Sequence, residues 1–219
     1  MHLFRPLPCT TALCVLLCLS AAAEAKSQNT KYRYYTIGGS SVDGVYKEML
    51  RRGPHVGGGK AYASTKMDPQ VQAVTANDGD RCRIASFKIN MNFTINLPKL
   101  QGSSGLDAST RRAFDNFLAF ARKHEERHRA IWLGCAAQAE AQIKNVSAAT
   151  CGKAEAKGLE IMQKVANACD RKHAAFDASE QTKLAKHPFI RAVMARGKKA
   201  PRNEVALPAV ALKKKNQNF

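Results

Sequence analysis

The chain has 219 residues, 45% of them apolar, with 35 Lys and Arg against 17 Asp and Glu, a net charge of +18. That length suits one domain or at most two small ones, and the apolar share argues against wholesale disorder, a collagen-like repeat or a polytopic membrane protein. The positive excess favours acidic partners or surfaces and says nothing about the fold.

Residues 1–25 have the layout of a secretory signal. His2 and Arg5 make a short positive start, an apolar stretch runs from about Thr11 to Leu19, and Ala23-Glu24-Ala25 is an A-x-A cleavage signal, so the mature chain is expected to begin at Lys26. A transmembrane anchor needs roughly 20 apolar residues, about twice what this stretch supplies. The expected location is periplasmic or extracellular. Cys9, Cys14 and Cys18 leave with the signal, and Cys82, Cys135, Cys151 and Cys169 remain. An even count outside the cytoplasm suggests two disulfides. Of the three connectivities, Cys82 with Cys151 and Cys135 with Cys169 is preferred, with buried thiols as the alternative. No C-x-x-C pair occurs, so a cysteine-based zinc site or a thioredoxin motif lacks support.

Lys31 to Ile37 is rich in aromatic and β-branched residues and stops at Gly38-Gly39-Ser40-Ser41, a strand leading into a turn. Val42, Val45, Tyr46, Met49 and Leu50 recur at helical spacing, which predicts a short helix over Val42 to Arg52 ended by Gly53-Pro54. Residues 55–69, with Gly57-Gly58-Gly59, read as a loop. Gln70 to Ala76, a tight turn at Asn77-Asp78-Gly79-Asp80, and Arg81 to Ile95 read as a hairpin, since Asp-Gly supplies the positive φ such a turn needs. Alternation places Ala85, Phe87, Ile89, Met91, Phe93 and Ile95 on one apolar face, and Leu97-Pro98 ends the sheet.

A first long helix, capped by Asp107 or Ser109, is predicted to about Asn145, with Phe114, Phe117, Leu118, Ala121, Ile131, Trp132 and Cys135 facing the core. A second runs from about Lys153 to Ala178, and the short connection near Ser147 to Thr150 makes the two an antiparallel hairpin. The expected fold is therefore α+β: a small antiparallel sheet packed on a long antiparallel helical hairpin, one domain over residues 26–196. From Gly197 onward, Lys198-Lys199, Pro201, Pro208 and Lys213-Lys214-Lys215 predict a basic, disordered tail over residues 197–219.

Within the first long helix, His124-Glu125-Glu126-Arg127-His128 matches H-E-x-x-H. Residues four apart on a helix project from the same side, so His124 and His128 can grip one Zn²⁺. The metal lowers the pKa of bound water towards about 7, and Glu125, next to the first ligand, can take its proton as it attacks a carbonyl carbon. Both histidines continue the apolar stripe, and two unpartnered imidazoles on a buried face are costly unless something satisfies them. The alternative is a pair of surface or hydrogen-bonded histidines among Arg122, Lys123, Glu126, Arg127 and Arg129.

The order of Tyr34-Tyr35-Thr36-Ile37-Gly38-Gly39-Ser40, Arg52-Gly53-Pro54, Cys82, Leu97-Pro98, His124 to His128 and Cys151 resembles the predicted secreted zinc-dependent proteases of domain of unknown function 922. The resemblance covers roughly residues 32–182 and implies an exported metalloprotease-like α+β domain. A catalytic zinc needs a third protein ligand. Relatives tend to end the second helix with Tyr-Asp-x-x-Thr-x-His-Gly, whereas this chain reads Phe176-Asp177-Ala178-Ser179-Glu180-Gln181-Thr182 and reaches a histidine only at His187-Pro188. The resemblance thus implies Asp177 or His187 as third ligand, while Asp170 and His173 fit the hairpin geometry if its turn centres near residue 148.

Two functions compete. The first is a zinc-dependent metallopeptidase hydrolysing peptide bonds, with a peptide or protein substrate aligned by β-addition along the free edge of the sheet. The second is a non-catalytic exported basic module that binds anionic envelope components, its metal site vestigial or structural. Scattered basic residues without an RNP-like or helix-turn-helix pattern make nucleic acid an unexpected partner.

Overall fold

The computed structural model describes residues 28–102 and 105–196; the expected signal sequence and basic tail lie outside them. The fold is α+β. Strand β1 (Gln28–Ile37) and helix α1 (Val42–Arg52) lead into a minimal hairpin, β2 (His55–Val56) and β3 (Gly59–Lys60). Two long strands follow, β4 (Ser64–Asp78) and β5 (Arg81–Leu100), then α2 (Ala108–Ile143), β6 (Ser147–Ala148), α3 (Cys151–Lys186) and α4 (Pro188–Arg196).

The four-stranded sheet has the order β1-β5-β4, with β6 pairing the start of β5. It is mixed, and this corrects the expected antiparallel sheet. β4 and β5 are antiparallel across the turn at Gly79, whose φ of 63° is the left-handed geometry glycine accepts without strain. β1 instead runs parallel to β5, from Gln28 opposite Met91 to Ile37 opposite Leu100. Side-chain alternation specifies which face of a strand is buried and carries no information on pairing direction, so β1 was readable as a strand without its orientation.

Two boundaries and one register differ from expectation for identifiable reasons. β4 starts at Ser64, inside the predicted loop, because Pro69 is tolerated on an outermost strand whose far side needs no donor. β5 continues through Leu97-Pro98 to Leu100. β4 begins opposite Asn96, so the proline ring lies where only β1 pairs with β5. Val74 pairs with Ser86 and Thr75 with Ile84, which leaves Ala85 as a one-residue bulge. The bulge switches faces: Ile89, Met91, Phe93, Ile95 and Leu97 are buried beyond it, Cys82 and Ile84 before it, and Ala85 is exposed.

Helix α2 is capped by Asp107, whose carboxylate accepts from Ser109 N and Thr110 N at 2.9 Å. Thr150 caps α3 by accepting from Lys153 N. The two helices run antiparallel, with Cys135 bonded to Cys169 and His128 beside His173. α3 passes the expected stop at Ala178 and runs to Lys186; α4 then starts at Pro188, a residue suited to a first helical position, and was not predicted. The second disulfide, Cys82–Cys151, ties the start of β5 to the start of α3. Two disulfides indicate an oxidising, exported setting. Among the described residues no helix is long and apolar enough to cross a membrane.

The core has two main parts. Phe93, Trp132, Ala139, Ile143 and Val165 join β5 to the second half of α2 and the first half of α3. Ile37, Met49, Phe114, Phe117, Leu184, Phe189 and Ile190 join the end of β1, α1, α4, the first half of α2 and the end of α3. Each fully buried Phe contributes on the order of 2–3 kcal/mol. Between the two parts lies a seam of buried polar side chains: His124, Glu125, His128, His173 and Asp177.

Candidate metal centre

The inward stripe of α2 reads Phe114, Phe117, Ala121, His124, Glu125, His128, Trp132, Cys135. Steps of three and four residues keep it on one face, so the histidines are buried for the same reason as the aromatics around them. His124 is 8% exposed and His128 1%. Across from them α3 presents Cys169, His173, Asp177, Glu180 and Leu184, spaced in the same way.

Three ligand-type atoms meet in the seam. His124 Nε2 and His128 Nε2 are 3.0 Å apart, and Asp177 Oδ1 lies 3.3 Å from the first and 3.0 Å from the second. In tetrahedral coordination with bonds of about 2.0–2.1 Å, ligand atoms stand roughly 3.3 Å apart, close to this triangle. Protein hydrogen bonds do not satisfy the whole cluster: His124 Nδ1 and Asp177 Oδ2 are buried without a partner. Burial raises the Asp177 carboxyl, but the two imidazoles beside it outweigh that and hold it well below the usual carboxylate range. The result is a buried anion facing two imidazole nitrogens, a donor set that fits a divalent metal ion.

Asp177 therefore joins His124 and His128, and His187 does not. α3 stays helical to Lys186, and ten residues of helix carry His187 about 15 Å along the axis from Asp177. There its ring packs on Phe117 and Phe120, and its Nδ1 accepts from Phe189 N at 3.3 Å. Asp170 points to solvent. His173 is buried beside the triangle, its Nδ1 2.7 Å from His128 Nδ1, the ring nitrogen on the side away from His124 and Asp177.

Glu125 is 6% exposed and shares a cleft of about 720 Å³ with His124 and His128. Its Oε2 lies 2.8 Å from the Thr65 hydroxyl, which is also 2.9 Å from the Glu125 carbonyl oxygen. Burial pushes the Glu125 carboxyl up, while His124, His128 and Thr65 pull it back. The cleft is walled by Tyr62 to Lys66 at the start of β4, by Phe117, Phe120 and Ala121 of α2, and by residues 54–58. Tyr35 donates to Tyr62 O at 2.6 Å, and Tyr62 donates to the Tyr46 hydroxyl at 3.0 Å, which fixes that wall to β1 and α1. Gly53 lets the chain turn back to form it: a Cβ there would collide with the carbonyl oxygens of Ala61 and Met49. The Tyr-Tyr and Arg-Gly-Pro segments thus have structural work at the site.

Thr65 escaped sequence reasoning because a hydroxyl in an apparent loop carries no signal. Asp177 had a signal: the polar residues His173, Asp177 and Glu180 continue the helical spacing of Val165 and Cys169.

A family model described as bacterial protein of unknown function, DUF922, matches residues 32–185. Neither a curated protein nor a solved structure matches the chain.

Proposed function

We propose that this chain, which belongs to DUF922, a bacterial family of unknown function, is an exported zinc-dependent peptidase. One observation carries the reading: three buried ligand atoms lie 3.0–3.3 Å from one another beside a buried carboxylate at the base of a cleft. His124, His128 and Asp177 would hold the metal, and two imidazoles with one carboxylate is a donor set suited to zinc with a position left open. Bound there, zinc supplies Lewis acidity, bringing the pKa of water towards about 7 and polarising a carbonyl oxygen.

The remaining work falls to the chain. Glu125 takes a proton from the attacking water and returns it to the leaving amine. The Thr65 hydroxyl holds Oε2 of that carboxylate in one orientation. Ser64 to Lys66 belong to β4, an outermost strand of the sheet, so their backbone offers a peptide an edge to pair with beside the histidines. The aromatic wall keeps bulk water from the reacting groups.

Glu125→Gln should retain about one zinc per chain by mass spectrometry and lose hydrolysis of a quenched-fluorescent peptide mixture. The double variant His124→Ala, His128→Ala should lose the zinc. Hydrolysis retained by Glu125→Gln would remove Glu125 from its role. Zinc retained by the double variant would place the metal elsewhere. A wild type that holds zinc and cleaves no peptide would favour the non-catalytic envelope-binding module.

A further inference from the structure

We infer that His173 is a positioning residue for the metal centre, the acceptor that fixes the tautomer of His128. The inference rests on the metal reading above and concerns a residue outside the ligand triangle. A ring nitrogen that ligates metal must offer its lone pair, so His128, ligating through Nε2, must carry its proton on Nδ1. That Nδ1 faces one group, His173 Nδ1, at 2.7 Å. Two ring nitrogens at that distance can share only one proton. With His128 as donor, His173 Nδ1 must accept and its own proton must sit on Nε2.

The assignment leaves the His173 Nε2 proton buried without a protein acceptor, a cost that metal binding through His128 has to offset. The ring is held in place by packing, with centroids 4.4 Å from Trp132 and 5.0 Å from His128. The reverse arrangement, with His173 donating, would put the His128 proton on Nε2. It would then point among His124 Nε2 and Asp177 Oδ1 and block the ligand position. His173 therefore selects the metal-competent form of His128 by being a neutral acceptor in a fixed place. Outer-shell partners of ligating histidines usually include a carboxylate or carbonyl; here the role goes to a second imidazole.

The test is zinc affinity by chelator competition on the wild type, His173→Phe and His173→Gln, with thermal melts of the metal-free proteins alongside. Phe keeps the ring and its stacking without the acceptor, and should weaken zinc binding about 10–100-fold. Gln restores an acceptor and should recover part of the loss, an effect that packing alone would not produce. In the zinc-loaded wild type, side-chain nitrogen NMR should find His128 protonated on Nδ1 and His173 on Nε2. The inference is overturned if His173→Phe binds zinc within about twofold of wild type, or if His173 carries its proton on Nδ1 when zinc is bound. A wild type that takes up no zinc would overturn the metal reading itself, which separates that failure from failure of the His173 assignment.

Discussion

Replacing Thr65 with Val removes one hydroxyl and little volume, and its effect can be worked from the structure. The hydroxyl lies 2.8 Å from Glu125 Oε2. A hydrogen bond to a charged group contributes about 1.5–3 kcal/mol, and about 1.4 kcal/mol is a tenfold change in rate. Burial already pushes the Glu125 carboxyl up, and Thr65 is among the groups that pull it down. Loss of the hydroxyl removes that pull and should raise it further. A general base works only when ionised, so the acid limb of the kcat/KM profile should move to higher pH. Below both limbs Thr65→Val should be about 10–100-fold slower, the equivalent of the lost hydrogen bond, with zinc content unchanged. Thr65→Ser, which keeps the donor, should follow the wild-type profile. An acid limb that stays within about 0.3 unit of wild type in an active Thr65→Val protein would refute the reasoning.

The choice of third ligand can be tested against its rival. Asp177→Asn should lower zinc affinity at least 100-fold, roughly, whereas His187→Ala should leave it unchanged and lower the melting temperature through lost packing on Phe117 and Phe120. Equal losses of zinc in both would contradict the geometry. Replacing Cys135 and Cys169 together by Ala opens a loop with a sequence separation of 34, which should reduce the unfolding free energy by about 4 kcal/mol in urea titration. A change below about 1 kcal/mol would show that the bond constrains little in the unfolded chain.

The helical half of the site was legible because helical period and motif spacing coincide: His124 and His128 sit one turn apart on a stripe already marked by Phe117, Ala121 and Trp132. The other half depended on where α3 ends. Ser179 to Thr182 contain no large apolar residue, yet Glu180 and Leu184 continue the buried face past the expected stop at Ala178 and carry the helix to Lys186. That extension is what separates Asp177 from His187. The wall of the cleft was hidden for a different reason. Gly57 to Gly59 and Pro69 read as loop, and only pairing with β5 reveals Ser64 to Lys66 as strand. The parallel placement of β1 is a property of how distant segments meet, which no local pattern encodes.

The bond between Cys135 and Cys169 sits seven residues from His128 and eight from Asp177 along their helices, between the segments that supply the two kinds of ligand. His128 and Asp177 lie far apart in the chain, so their encounter depends on α2 and α3 staying docked. A covalent tether about two helical turns away raises the effective concentration of each helix for the other. Oxidation of one thiol pair is thereby coupled to assembly of the metal centre. While the thiols are reduced, Asp177 loses that tether and metal capture at the proposed site is weakened. On the proposed function, compartment acts as an on-switch for the peptidase, with no separate inhibitory segment required to protect the cell that makes it.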